Sequence, residues 1–123
     1  MIGYTTLGTN NLARASAFYD ELLSIIGAKR ILADDHITLW GNKPGSAMFG
    51  VITPYDKKAA TAGNGVMIAL SVPDLATIEK MHAKTLTLGG SDEGAPGPRD
   101  NNMCFAYVRD LDGNKLAFYC RNK

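Results

Sequence analysis

The chain has 123 residues, 46% of them hydrophobic and 20% charged, which is enough to bury a core without disulfide or metal staples. Its net charge of +1 gives no electrostatic footprint for nucleic acid or an anionic membrane, and no apolar run approaches the roughly 18 residues of a membrane span. The opening MIGYTTLG reads as a strand, so no signal peptide is expected. Cys104 and Cys120 alone make no disulfide framework, and a cytoplasmic protein is the default expectation.

Residues 2–8 predict the first strand and residues 11–26 a helix. Leu12, Ala15, Tyr19, Leu22, Leu23 and Ile26 recur at three- and four-residue steps and form one apolar face. Asn10 or Asn11 can cap its start, and Gly27 stands where a terminating glycine belongs. RILADDHITLWG and SAMFGVITP are strand-like runs around the turn Gly41–Gly45. Residues 54–65, polar and glycine-bearing, read as a linker. A strand over 66–72 leads through Pro73-Asp74 into a second helix, with Leu75, Ile78, Met81 and Leu86 on one face and a stop at Gly89-Gly90. SDEGAPGPRDNN, residues 91–102, reads as a long loop. MCFAYVR and KLAFYCR flank a hairpin turn at Asp110–Asn114.

This order is an internal repeat. Leu12 and Leu75 are 63 apart, as are Gly27 and Gly90, and in the hairpins the offset becomes 68, matching Gly45 to Gly113 and Phe49 to Ala117. The pattern predicts an α+β fold of two βαββ modules. Each half-sheet is covered on one face by its own helix, and the two half-sheets are expected to form a partly closed curved sheet around a ligand cleft. A single domain over 1–123 follows, with module one at 1–53, a linker at 54–65 and module two at 66–123. A chance α+β alternation of the ferredoxin-like type fits the pattern alone as well.

The stretches MIGYTTLGTNNLARASAFYDELLSIIGAKR, with its aromatic pair Phe18-Tyr19, AGNGVMIALSVPD, GGSDEGAPGPR and VRDLDGNKLAFYC together resemble the glyoxalase/bleomycin resistance protein/dioxygenase (vicinal oxygen chelate) superfamily along nearly the whole chain. The resemblance implies the fold; it does not fix the reaction. Metal-using members place ligands on the first strand of each module and on the last strand. Carried over, those places are Tyr4, Met67 and Ala117, with Phe49 at the fourth, symmetric position. Met, Ala and Phe offer a divalent metal nothing useful, and neutral tyrosine is a poor ligand. No metal ligands and no cofactor are therefore expected. His36 and His82 read as structural or surface histidines, and Asp34, Asp35, Asp110 and Asp112 as turn residues.

Pairing Arg109 with Lys115 sets Tyr107 opposite Ala117, Phe105 opposite Tyr119, and Cys104 opposite Cys120 on the helix side. That pair reads as two reduced core thiols or a cross-strand disulfide. Alternation assigns Tyr4, Thr6, Leu39, Phe49, Met67, Ala69, Phe105, Tyr107, Ala117 and Tyr119 to the cleft, an aromatic, methionine-bearing lining. Arg99 is the best cation for a carboxylate or phosphate; Arg109, Asp92 and Glu93 read as solvated. Trp40 reads as a rim aromatic or a subunit contact. Three functions follow. The first is a metal-free binder of a small organic molecule, of the bleomycin-resistance kind. The second is an enzyme, either a metal-free one using Tyr4 or Tyr107 as an acid or base or a divergent lyase or dioxygenase with unexpected ligands. The third is a structural or regulatory module with a filled cleft. The resemblance also implies a homodimer, and neither nucleic acid nor membrane is expected as a partner.

Overall fold

A computed structural model describes residues 1–121. The chain forms two compact units, the first Met1–Ala62 and the second from Gly63 onward. The first contains β1 (Tyr4–Gly8), α1 (Leu12–Ser24), β2 (Lys29–Ala33), β3 (Ile37–Gly41) and β4 (Met48–Ile52). The second contains β5 (Ile68–Ser71), α2 (Leu75–Thr87), β6 (Ser91–Arg99), β7 (Met103–Arg109) and β8 (Lys115–Arg121). Each unit holds one four-stranded sheet, in the orders β1-β4-β3-β2 and β5-β8-β7-β6. In both, the first strand pairs in parallel with the last and the remaining pairs are antiparallel. The α+β class and the paired modules are those implied by the sequence, and each module carries one further edge strand. In the first, Asp34 turns the chain inside RILADDHITLWG by accepting the backbone N–H groups of His36 and Ile37, which splits that run into β2 and β3. In the second, the expected loop 91–102 is mostly β6. Its glycines and prolines are accommodated as register breaks between Asp92 and Gly94 and between Gly94 and Gly97, at an edge where an irregular ladder is tolerated.

The helices form for local reasons. Asn11 caps α1 by accepting the Arg14 N–H at 3.0 Å, and Asp74 caps α2 by accepting the Thr77 N–H at 2.8 Å. α1 ends before Gly27, whose φ of +73° suits a residue without Cβ. α1 buries Ala15, Phe18, Tyr19, Leu22 and Leu23. The Tyr19 ring lies 4.8 Å from Phe49 and 5.7 Å from Trp40, and Ser16 shares a 2.9 Å hydroxyl hydrogen bond with Thr38. The α1 side of this sheet is thus an aromatic core. Trp40, expected at a rim or a subunit contact, is 1% exposed, and its indole N–H donates to Asp20 at 2.9 Å. In the second unit α2 buries Ile78, Met81 and Thr85 and lies on β6, β7 and β8, the last two of which supply Ala106, Val108, Leu116 and Phe118. Leu75 and Leu86, expected on that face, are exposed instead. Thr85 holds a core place because its hydroxyl is satisfied by the Met81 carbonyl at 2.9 Å.

Residues 54–62 of the expected linker group with the first unit, and the boundary between the units falls within that linker, between Ala62 and Gly63. Asn10 fastens this segment by accepting the Ala60 N–H at 2.7 Å and donating to the Ala60 carbonyl at 3.3 Å. Gly8 leaves room for the Ala60 methyl, which a Cβ at that position would meet at 3.0 Å.

Candidate functional site

Strand alternation gives each sheet a helix-covered face and an open face. In the second unit Cys104, Ala106, Val108, Leu116, Phe118 and Cys120 are buried on the helix side, while Phe105, Tyr107, Arg109, Lys115 and Tyr119 are half-buried on the open side. The β7–β8 register is the expected one, Arg109↔Lys115, Tyr107↔Ala117, Phe105↔Tyr119 and Cys104↔Cys120. The turn that sets it is held by Asp110, whose buried carboxylate accepts the N–H groups of Asp112 and Asn114 at 2.9 Å. Cys104 and Cys120 are free thiols. Burial, and then the neighbouring Cys104, pushes the Cys120 thiol up.

The open face of the second unit is an aromatic ladder. Phe105 stacks on Tyr107 with centroids 5.5 Å apart and planes 8° from parallel, and on Tyr119 at 5.5 Å and 19°. Ala117 lies between Tyr107 and Ala69 in the strand order, and Met67 and Ala69 are exposed just beyond it. Two cations attend the Tyr107 ring: the Lys115 ammonium is 5.2 Å from its centroid and the Arg99 guanidinium 5.7 Å. Arg99 is held there by donating to the carbonyls of Ala95, Gly97 and Pro98 at 2.8 to 3.1 Å. Gly94 lets β6 run against Tyr107, since a Cβ on it would sit 2.7 Å from the ring. Arg109 and Glu93, expected to be solvated, form an ion pair, and Arg109 also donates to the Gly113 carbonyl at 3.0 Å. Asp92 pairs with His82 at 2.8 Å. The His82 contact and the Gly94 N–H hold the Asp92 carboxyl below its ordinary value.

The first unit divides the predicted residues differently. Tyr4 and Thr6 are exposed on the open face. Leu39 is on that face but buried, its Cδ2 filling the space above Gly50. Phe49 is on the opposite face, against Tyr19, and cannot line an open cleft. The loop joining β3 to β4 is one residue longer than the loop joining β7 to β8. The offset for β4 is therefore 67 rather than 68. Thr6 pairs with Gly50 as Ala69 pairs with Ala117, so Gly50, not Phe49, stands at the position equivalent to Ala117.

The positions that metal-using relatives give to ligands thus hold Tyr4, Met67 and Ala117, with Gly50 at the fourth. Three of these four cannot ligate a divalent ion usefully, so the residues do not fit the metal that the resemblance implies. Among the described residues no group of three or more His, Cys, Asp or Glu could hold one. His36 is exposed in the β2–β3 turn.

Two concavities lie in the first unit. One of about 500 Å³ is bordered by His36, Ile52, Tyr55, Lys57 and Lys58, and another of about 800 Å³ by Lys29, Ile31, Asn42 and Met48. Neither includes a predicted residue, and both are walled largely by exposed turn and linker side chains. The ladder is a better candidate because sheet register and mutual stacking fix its rings. Sequence reading missed Lys115 and Gly94. The Lys115 signal was present: pairing Arg109 with Lys115 makes Lys115 a diagonal neighbour of Tyr107.

Among the described residues no helix is long and apolar enough to cross a membrane. The sequence profile of the Glyoxalase/Bleomycin resistance protein/Dioxygenase superfamily matches residues 1–118. A glyoxalase/bleomycin resistance protein from Albidiferax ferrireducens is similar in structure, with a TM-score of 0.89 and 31% identity over 98% of each chain. A lactoylglutathione lyase from Agrobacterium tumefaciens shares the fold at a TM-score of 0.70 and 19% identity, covering 98% of this chain and 92% of its own. A glyoxalase-related enzyme from Fulvimarina pelagi shares it at 0.77 and 16%, covering 98% and 88%. Among curated proteins none matches the chain. A profile match over nearly all of the sequence and a structural relative above 30% identity, on top of the repeated modules, make this chain a member of the glyoxalase/bleomycin resistance protein/dioxygenase superfamily.

Proposed function

We propose that the chain binds a small organic molecule on the open face of its second module, without a catalytic metal. The observation that carries this reading is the ladder Tyr119–Phe105–Tyr107, half-exposed on a face that the helix does not cover. Aromatic side chains fixed by a sheet present large apolar area at little entropic cost, and the tyrosine hydroxyls give such a surface polar ends. The proposal keeps the two modules as one domain and includes a homodimer, the arrangement that accompanies the resemblance. A lyase or dioxygenase of the usual kind would need ligands where Tyr4, Met67 and Ala117 stand. A divergent one would need them elsewhere, where among the described residues no group of three or more His, Cys, Asp or Glu comes together, so binding is the better supported reading.

The test is a screen of small planar organic compounds by thermal shift, followed by calorimetry on the wild type and on Tyr107→Ala and Phe105→Ala. A hit should lose about tenfold or more in affinity in each variant, as removal of one stacked ring implies. A hit whose affinity neither substitution changes would place the site elsewhere. Sedimentation velocity tests the homodimer: a single species at the monomer mass at high micromolar concentration would refute it.

A further inference from the structure

We infer that the ligand of this face is a planar aromatic carboxylate, with Lys115 and Arg99 as the residues that recognise its charge; the inference rests on the binding face proposed above. Three observations lead to it. The first is the orientation of the ladder. Its rings face one another at 5.5 Å, with planes within 19° of parallel. Inserting a further ring would need roughly 7 Å, two contacts of about 3.5 Å each. A ligand therefore lies across the ladder rather than within it, over ring edges. Aromatic edges carry the positive end of the quadrupole, so they favour the electron-rich face of a flat molecule.

The second observation is the charge at the end of the ladder. Lys115 and Arg99 both lie within 6 Å of the Tyr107 centroid. Arg109, the next cation on the face, is neutralised by Glu93, whereas neither Lys115 nor Arg99 has a carboxylate partner among the described residues. An uncompensated pair of cations beside half-dry aromatic surface favours an anion and repels a cation. The third is preorganisation. Arg99 is tied to three backbone carbonyls, so its charge is held at the rim without the entropy loss of ordering a free side chain. These features call for a flat ring to cover the edges and a negative group at the Tyr107 end.

The experiment compares 2-naphthoate with 2-naphthamide, which share a ring system and differ in charge. Binding is measured by calorimetry and by amide shifts in the ¹H–¹⁵N spectrum, in the wild type, Lys115→Met and Arg99→Gln. Lys115→Met keeps an unbranched apolar stem, and the spectrum itself reports whether each variant is folded. In the wild type the acid should bind about tenfold or more tightly than the amide, with shifts at Phe105, Tyr107 and Ala117, as a charge-assisted contact predicts. The preference should fall to about threefold or less in one or both variants and weaken with added salt. Equal binding of acid and amide on this face would overturn the inference and leave the aromatic site standing. Acid preference untouched by both substitutions would overturn the assignment of Lys115 and Arg99. If neither compound shifts the ladder amides at millimolar concentration, both the carboxylate inference and the proposed binding face fail.

Discussion

Asp20 ties three elements together, and its removal has a calculable effect. From α1 its carboxylate accepts the Trp40 indole N–H at 2.9 Å and the Arg30 Nε and Nη2 at 2.9 and 2.7 Å, linking the helix to β3 and β2. The Arg30–Asp20 pair is partly exposed, so solvent screens it and it contributes about 0–1 kcal/mol. The indole N–H belongs to a side chain that is 1% exposed; leaving it without an acceptor costs about 1–3 kcal/mol. Asp20→Ala should therefore destabilise the chain by about 2 kcal/mol, a fall of roughly 1–1.5 M in the urea midpoint for a domain of this size. Asp20→Asn keeps an oxygen for the indole and should cost about half as much or less. Trp40 is the only tryptophan, so its fluorescence reports both the unfolding and the local environment. In a Trp40→Phe background, followed by circular dichroism, Asp20→Ala should cost only the ion-pair share, about 1 kcal/mol or less. Equal losses for Asp20→Ala and Asp20→Asn, or the same Asp20→Ala loss in both backgrounds, would refute the assignment of the cost to the stranded indole.

The hydrogen bonds of Arg30 and Trp40 hold the Asp20 carboxyl below its ordinary value, and donors likewise lower Asp34, Asp74 and Asp92. A depressed folded-state pKa stabilises above the unfolded value and is lost as pH falls through the folded one. The melting temperature should thus be flat with respect to these groups above about pH 5 and drop below about pH 4, and no drop by pH 3 would contradict it. Gly50→Ala would place a Cβ 2.3 Å from Leu39 Cδ2 and 3.0 Å from the Thr38 carbonyl oxygen, so it should cost about 1–3 kcal/mol in denaturant unfolding, and an unchanged midpoint would show that Leu39 moves freely. Burial of Cys104 and Cys120 should make both thiols react with an aromatic disulfide reagent only when the chain unfolds; rapid release of two equivalents from the native protein would show that this face opens.

Much of this architecture was legible in the sequence because its signals are periodic or repeated. The α1 face, the glycine after each helix, and the β7–β8 register fixed by Asp110–Asn114 all follow from spacing. The failures have physical causes. Phe49 was placed by carrying one offset through a loop that differs by one residue, and in a strand a slip of one turns a side chain to the other face. β6 was hidden because Gly94, Pro96, Gly97 and Pro98 carry turn chemistry, yet an edge strand tolerates breaks in its ladder. Trp40 looked like a rim residue at a strand end, since nothing local reveals that Asp20, twenty positions earlier, would satisfy its indole. The aromatic face was readable from alternation. Its cations were only half so: Arg99 stood out, whereas Lys115 needed the diagonal contact.

The parallel pairing of first and last strand sets an order of events in time. Tyr4 meets Met48 and Ile68 meets Leu116, so each sheet closes a loop of roughly 45 residues, whereas β3–β4 and β7–β8 join neighbours across short turns. The entropy of the long loop is lost before its ladder repays it, so the hairpins and the helix assemble first and β1 and β5 dock last. Pulse-labelled hydrogen exchange during refolding should protect the amides of Leu39 and Val108 ahead of those of Leu7 and Leu70; simultaneous protection would mean that each sheet closes in a single step. Among the described residues each strand ladder lies within one unit, and synthesis from the N-terminus presents the strands of the first sheet before those of the second.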